Sequence, residues 1–521
     1  MADPFYITTA ISYPNGPPHI GHAYEAIAAD AIARFQRMQG RDVRFVTGTD
    51  EHGLKMAQTA RGQGKDVQAL CDEMSAYFKE MCATLNISYD RFIRTTEPAH
   101  HQASVAIWEA MQANGDLYLD RYEGWYSVRD EAFYEEKELT LGEGGVKLSP
   151  QGTPVEWTAE ESWFFRLSKY AKPLLDLYET NPDFIKPESR RNEVIRFVEG
   201  GLRDLSVSRT SFDWGVKVPG SPDHVMYVWV DALTAYMSAL GYPAQGGDYA
   251  RYWPADIHLI GKDIVRFHTV YWPAFLMSAG LRLPKQVFGH GFLLARGGEK
   301  MSKSVGNVVD PLALAERYGV DALRYFLMRE VSFGQDGTWS EEAIVTRCNA
   351  ELANSFGNLA QRVLSMIYKN LDGEISIFST TEVDNKLHGI VATTCILELP
   401  RSFSAFDFSV GIEAWMRAVF ACNQYVDVQA PWTLRKTDPE RMRVVLLTLL
   451  MMVRHLALAI RPIIPASADR LLEQIGTPED ERNYAALNDR DWYTRLVATG
   501  FRIESPVGVF PRLELSAKAE A

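Results

Sequence analysis

The sequence predicts an α/β protein: a parallel sheet flanked by helices, interrupted by an inserted subdomain and followed by an all-α bundle. Three observations carry this. Strand-like and helix-like segments alternate over the first hundred residues. The alternation stops between residues 116 and 223, a stretch rich in aromatics, Gly and Glu. From about Glu341 onward, apolar residues recur almost only at spacings of three and four.

The elements follow in order. "FYITTA" is a β-branched and aromatic run that reads as the first strand. A turn carrying two histidines leads into a helix from about His22 to Met38, with Ile27, Ala31, Ile32 and Phe35 on one face and Gly40 as its C-cap. "VRFVTGTD" is the next strand, and a helix follows again. After the insertion the α/β pattern resumes with "VMYVWVDALTAYM", "IHLIGKDIVRFH" and "KQVFGHGFLLA". The expected organisation is a parallel-sheet domain over 1–115 and 224–285, an insertion over 116–223, a connecting region over 286–340 and a helical domain over 341–521.

The chain has 521 residues, which exceeds a single core. Apolar residues make up 46% and charged residues 23%, as in soluble globular proteins. The greasy stretch "VVLLTLLMMV" is cut by Arg454 and His455, so it reads as a buried helix too short to span a bilayer. "MADPFYITTA" lacks the basic and apolar regions of a secretory signal. Five scattered cysteines suggest reduced thiols in a cytoplasm. A net charge of -13 excludes a protein coated in basic surface and leaves room for a local basic groove.

Two stretches can do chemistry. In "SYPNGPPHIGHAYEAIAAD", His19 and His22 sit three apart around Gly21 at a helix N-terminus. That spacing puts both rings on one side. Unpaired N–H groups there favour anions, and Gly21 lets a flat ligand approach the backbone. An anionic nucleotide fits. The alternative, one histidine capping the helix while the other packs, stays open. In "GGEKMSKSVGNVVDP", Lys300 and Lys303 alternate with Ser302 and Ser304 between glycines, ahead of an Asp310–Pro311 helix start. Flexible ammonium groups on a Gly-hinged loop suit phosphate. By composition alone a solvated loop reads as well. Neither a P-loop nor a G-x-G-x-x-G is present.

In this order on an α/β chain, "PPHIGHAY" and "KMSKS" resemble the two signature sequences of class I aminoacyl-tRNA synthetases, most closely those of the bacterial methionyl family. The resemblance implies a Rossmann-like catalytic domain and a helical anticodon-binding domain. It implies activation of methionine by ATP, with Mg²⁺, and transfer of the acyl group to tRNA(Met), initiator tRNA included. His19, His22, Lys300 and Lys303 then hold the polyphosphate, with Asn15, Gly21, Gly261, Asp263 and Ser302 also at the ATP site. Asp50 takes the methionine ammonium group, and Ala10, Ile11, Tyr13, Trp229, Ala232, Leu233, Tyr236, Ile264 and His268 line the pocket. Asn354, Asn358, Arg362 and Trp432 resemble the family's anticodon reader, which uses stacking and base-edge hydrogen bonds.

Many family members carry zinc on C-x-x-C pairs in the insertion. Here "WYSVRDEAFY" and "LSPQGTP" stand in their place, and no zinc is expected. The aromatics Trp125, Tyr126, Phe133, Trp157, Trp163 and Phe164 are then expected to hold the insertion together. The chain ends soon after the bundle, so a monomer is expected. Two other functions compete: another class I ligase or a smaller adenylyl transferase with the same histidine turn, and a non-catalytic RNA-binding paralogue. The helical domain argues against the transferase, the pocket segments argue for methionine over other amino acids, and the intact histidine and lysine motifs argue against the paralogue.

Overall fold

The computed structural model describes residues 2–130, 132–294 and 308–515. Its centre is a six-stranded sheet whose pairings are all parallel. Strands β1 (Pro4–Thr9), β2 (Asp42–Thr49) and β3 (Arg91–Arg94) follow one another outward on one side. The strands Ile257–Gly261, Val287–His290 and Ile185–Lys186 extend the other side. The direction of winding therefore reverses between β1 and Ile257–Gly261. A crevice opens at such a switch point, at the carboxyl ends of the strands.

Helix α1 (Ile20–Met38) starts two residues before the expected His22. Its C-cap is Gln39, with Gly40 one residue beyond at φ +83°. Gly40 N–H donates to Arg37 and Arg41 N–H donates to Gln36, the paired bonds of a Schellman end.

The insertion does two jobs. Leu117–Ser127 and Glu156–Phe165 pair antiparallel in a sheet of their own. Ile185–Lys186 instead returns to the edge of the central sheet beside Val287 and Phe288. In the separate sheet the ring contacts Tyr126–Phe133 and Trp125–Trp157 form as expected, but Trp157 remains 57% exposed. A polar knot lies beside them. Asp130 Oδ2 accepts from Ser149 Oγ (2.6 Å), Thr153 Oγ1 (2.6 Å) and Tyr134 Oη (3.0 Å), and Ser127 Oγ meets Thr153 Oγ1 at 2.6 Å. These hydroxyls and one carboxylate come from "WYSVRDEAFY" and "LSPQGTP", the stretches at which the resemblance would place C-x-x-C pairs. They do not match the thiolate or imidazole donors of a structural zinc site.

The helical domain buries the apolar stretch "VVLLTLLMMV" in a single helix, Pro439–Ile460. By length and composition alone this helix is long enough to cross a membrane, which corrects the sequence expectation. It runs straight through Arg454 and His455. Arg454 lies over the Trp492 ring at 3.9 Å and donates to the Ala486 carbonyl, so its charge ends no helix. Most of the helix is buried in the core that the bundle shares with α1.

Candidate active site at the sheet's carboxyl edge

The sequence-predicted residues of the sheet domain converge at the switch point. The chain leaving β1 carries Ala10 to Tyr13, and the chain leaving β2 carries Asp50. The two run side by side: Ser12 N–H donates to the Gly48 carbonyl and Asp50 N–H to the Ser12 carbonyl, both at 2.9 Å. Across the crevice, Ala10 N–H donates to the Leu259 carbonyl at 3.1 Å. Gly261 closes its strand, and the turn Lys262–Ile264 brings Asp263 to the rim.

His19 and His22 resolve the two open readings of their motif into one arrangement. The rings stack with centroids 3.8 Å apart. His19 is the N-cap of α1, and its Nδ1 accepts from Gly21 N–H at 3.1 Å. His22 Nδ1 accepts from His19 N–H at 3.1 Å. The pair forms a reciprocal capping box in which imidazole replaces the usual hydroxyl and carboxyl. An accepting Nδ1 leaves the proton of a neutral ring on Nε2. Both histidines therefore cap the helix through Nδ1. Gly21 serves this packing first: a Cβ there would stand 2.9 Å from the His19 ring.

Trp229, Leu233 and Tyr236 lie on the helix Val228–Ser238, and Ala10, Ile11 and Ile264 pack against the same core. Trp229 stacks on Phe267 at 3.8 Å. Tyr236 Oη and His268 Nε2 lie 2.6 Å apart, and His268 Nδ1 is 3.0 Å from the Ile264 carbonyl. A carbonyl only accepts, so Nδ1 carries the proton and Tyr236 donates to Nε2. Burial holds the His268 pKa down to about 4, so the ring is neutral near pH 7. This cluster is aromatic, with a neutral His268 at its centre. Ala232 is buried on the same helix. Tyr13 sits apart, against a smaller core with Met56 and Trp214, and accepts from Met56 N–H at 3.1 Å. Asn15 lies in the turn between Tyr13 and His19, partly buried.

Sequence reading missed the groups that hold these residues in place. Glu25 on α1 accepts from Ala10 N–H (2.9 Å) and pairs with His290 at 2.8 Å. Burial pulls the His290 pKa down, but Glu25 outweighs it, and the net shift is upward. Glu51, His52, Arg94, His100, Trp214 and Asp231 truss the loop around Asp50. "TDEH", four polar residues in a row after a strand, was the available signal, because buried polar groups need partners.

Lys300, Ser302 and Lys303 lie outside the described residues, as do Gly297, Gly298 and Gly306. In the helical domain, Asn358 and Arg362 share a face of the helix Asn358–Asn370. Asn354 belongs to a preceding π-helical segment, Asn349–Gly357, so the α-helical spacing expected from the sequence does not extend to it. Arg362 Cζ stands 5.5 Å from the Trp432 ring and its Nη2 is 3.2 Å from Asp427. Arg362 and Trp432 thus meet, although 70 positions separate them in the sequence.

Known proteins show the same organisation. The family model for tRNA synthetases class I (M) matches residues 5–364, and that for the anticodon binding domain of methionyl tRNA ligase matches 387–520. A methionine–tRNA ligase of Rhizobium meliloti is 57% identical over 98% of both chains. One from Mycobacterium tuberculosis is 55% identical, also over 98% of both. The structure of Mycobacterium tuberculosis methionyl-tRNA synthetase bound by methionyl-adenylate superimposes with a TM-score of 0.94 at 54% identity, covering 98% of this chain and 100% of that one. The chain belongs to the methionine–tRNA ligase family of class I tRNA synthetases.

Proposed function

We propose that the crevice at the switch point activates methionine with ATP, and that the helical domain selects tRNA(Met), including the initiator, by its anticodon. The convergence of the Asp50 loop, the Tyr236–His268 wall and the capped histidines on one crevice carries this reading.

The methionine carboxylate attacks the α-phosphate of ATP and pyrophosphate leaves, giving methionyl-adenylate; a hydroxyl of the terminal ribose of tRNA then takes the acyl group and AMP leaves. No covalent enzyme intermediate is required. Catalysis consists of positioning and of stabilising charge that develops on the phosphates. His19 and His22, at the N-terminus of α1, and Lys300, Ser302 and Lys303 bind the phosphates of ATP, and Mg²⁺ accompanying the nucleotide would offset phosphate charge. Asn15, Gly21, Gly261 and Asp263 border the nucleotide. Asp50 takes the ammonium group. The side chain enters between Ala10, Ile11, Trp229, Leu233, Ile264 and the Tyr236–His268 pair, with Ala232 on the same helix as Trp229 and Tyr13 approaching from the neighbouring Met56–Trp214 cluster. An uncharged aromatic wall suits a polarisable thioether and leaves charged side chains without partners.

Asn354, Asn358, Arg362 and Trp432 read unstacked anticodon bases. This local surface explains how a chain of net charge -13 binds RNA. The five cysteines are all free and buried, which suits a reducing cytoplasm; a monomer is proposed.

Amino-acid-dependent exchange of labelled pyrophosphate into ATP, run with each of the twenty amino acids and without tRNA, tests the proposal. Exchange with methionine alone is expected. Exchange with another amino acid would overturn the pocket assignment, and no exchange from folded protein would favour an RNA-binding paralogue.

A further inference from the structure

The loop that presents Asp50 is tied down on both sides. Glu51 is fully buried. Its carboxylate accepts from Arg94 Nε (2.7 Å) and Nη2 (2.9 Å), Thr49 Oγ1 (2.7 Å) and Thr96 Oγ1 (2.6 Å). Its carbonyl accepts from Trp214 Nε1 at 2.6 Å. The carboxylate contacts fix the loop to β2 and to the chain leaving β3.

His52 reaches the opposite way. Its Nδ1 is 2.5 Å from Asp231 Oδ2, and His100 Nε2 is 2.5 Å from Asp231 Oδ1. His100 Nδ1 in turn meets Ser238 Oγ at 2.8 Å. Asp231 and His100 are at most 1% exposed, and His52 is 3% exposed. Asp231 sits on the helix Val228–Ser238, two residues from Trp229 and five from Tyr236.

One buried carboxylate therefore joins the loop expected to grip the ammonium group to the helix expected to grip the thioether. Burying it is costly. Placing an apolar side chain there would cost no desolvation, so packing alone does not call for a carboxylate. What the carboxylate adds is a fixed geometry, held by two hydrogen bonds at the pocket's rear.

We infer that Asp231 is a positioning residue for methionine activation, setting through His52 the separation between Asp50 and the Trp229–Tyr236 wall. This rests on the assignment of Asp50 to the ammonium group. Misplacement by about 1 Å costs on the order of a hundredfold in rate for positioned reactants, so a modest shift of the loop is readable.

The test measures binding of L-methionine and of the same molecule with hydrogen in place of its amino group. It also measures the Michaelis constants of pyrophosphate exchange, for Asp231→Asn, His52→Gln, Asp50→Ala and the Asp50→Ala/Asp231→Asn double variant. Asp231→Asn is expected to raise the methionine Michaelis constant about tenfold while leaving that for ATP unchanged. The loss should fall on the ligand that carries an ammonium group and disappear in the Asp50→Ala background. Equal weakening of both ligands, or unchanged methionine binding together with unchanged turnover, would overturn the positioning role. If Asp231→Asn does not fold, His52→Gln gives the same readout while leaving the Asp231–His100 contact in place. Asp50→Ala separates the two levels of the argument. If it leaves the preference for the amino group intact, the Asp50 assignment fails. If it removes the preference while Asp231→Asn does not, only the positioning role fails.

Discussion

Trp432 is 49% exposed, beside the Arg362 guanidinium and on the short helix Pro431–Thr437. A half-exposed indole contributes little to the core, so its truncation should be felt in binding rather than in folding. Stacking of one base on an aromatic side chain is worth about 1–3 kcal/mol. Trp432→Ala is therefore expected to raise the Michaelis constant for tRNA roughly 5- to 150-fold and to leave pyrophosphate exchange without tRNA unchanged. A parallel loss of exchange would show that Trp432 supports the fold. At this scale the sequence marked Ala10 to Tyr13, His19, Asp50 and Gly261 to Asp263 because they sit in short segments at the strand ends and the start of α1. Their supports were not marked. His52 and His100 meet Asp231 across 179 and 131 positions, and no local pattern links such partners. The same holds for Glu25 and His290, 265 positions apart.

At the scale of elements, a period of 3.6 located the helices but not their ends or irregularities. The imidazole capping box starts α1 earlier than expected because His19 takes the role usually given to Ser or Asp. The π-helical segment Asn349–Gly357 is invisible to a count of threes and fours. In the insertion, the reading from aromatics overlooked the hydroxyls, whose common acceptor Asp130 lies 19 and 23 residues from Ser149 and Thr153. Asp130→Ala would leave the Ser149, Thr153 and Tyr134 hydroxyls without that acceptor. A buried polar group left unsatisfied costs about 1–3 kcal/mol. The expected result is faster hydrogen exchange over Leu117–Phe165, with protection of β1 and β2 unchanged. Chelator treatment of the unaltered protein should leave exchange in the insertion as it was. A chelator effect, or stoichiometric zinc in protein purified without added metal, would show that a metal holds the insertion.

At the scale of the whole molecule, the catalytic and helical domains share charges as well as a core. Arg324 is fully buried and donates to Asp30 of α1 (2.6 Å), to the Leu85 carbonyl (3.3 Å), and to the Ile463 (2.9 Å) and Pro462 (3.1 Å) carbonyls beyond the long bundle helix. Burial pushes the Asp30 carboxyl up, yet Arg324, Arg34 and Ser88 outweigh it and hold its pKa below the ordinary value. The histidines set the response to mild acid. Burial lowers His258 well below its ordinary value of 6.5, and lowers His268 and His455 to about 4. Unfolding releases these rings to titrate near 6.5. Between pH 6.5 and 4 the unfolded chain binds the extra protons, so stability rises with pH across that window and falls on acidification. His290 has the opposite sign. Its folded pKa is raised, so its contribution is complete below 6.5 and is lost as pH rises through the folded value. Each lowered histidine contributes at most about 1.4 kcal/mol per pH unit inside the window. The urea midpoint should therefore drop between pH 7 and pH 5. Burial lowers His101 as well, so His455→Gln, remote from the crevice, removes one of four such groups and should reduce that drop by roughly a quarter. Equal midpoints at the two pH values would mean that these rings are protonated in the folded protein.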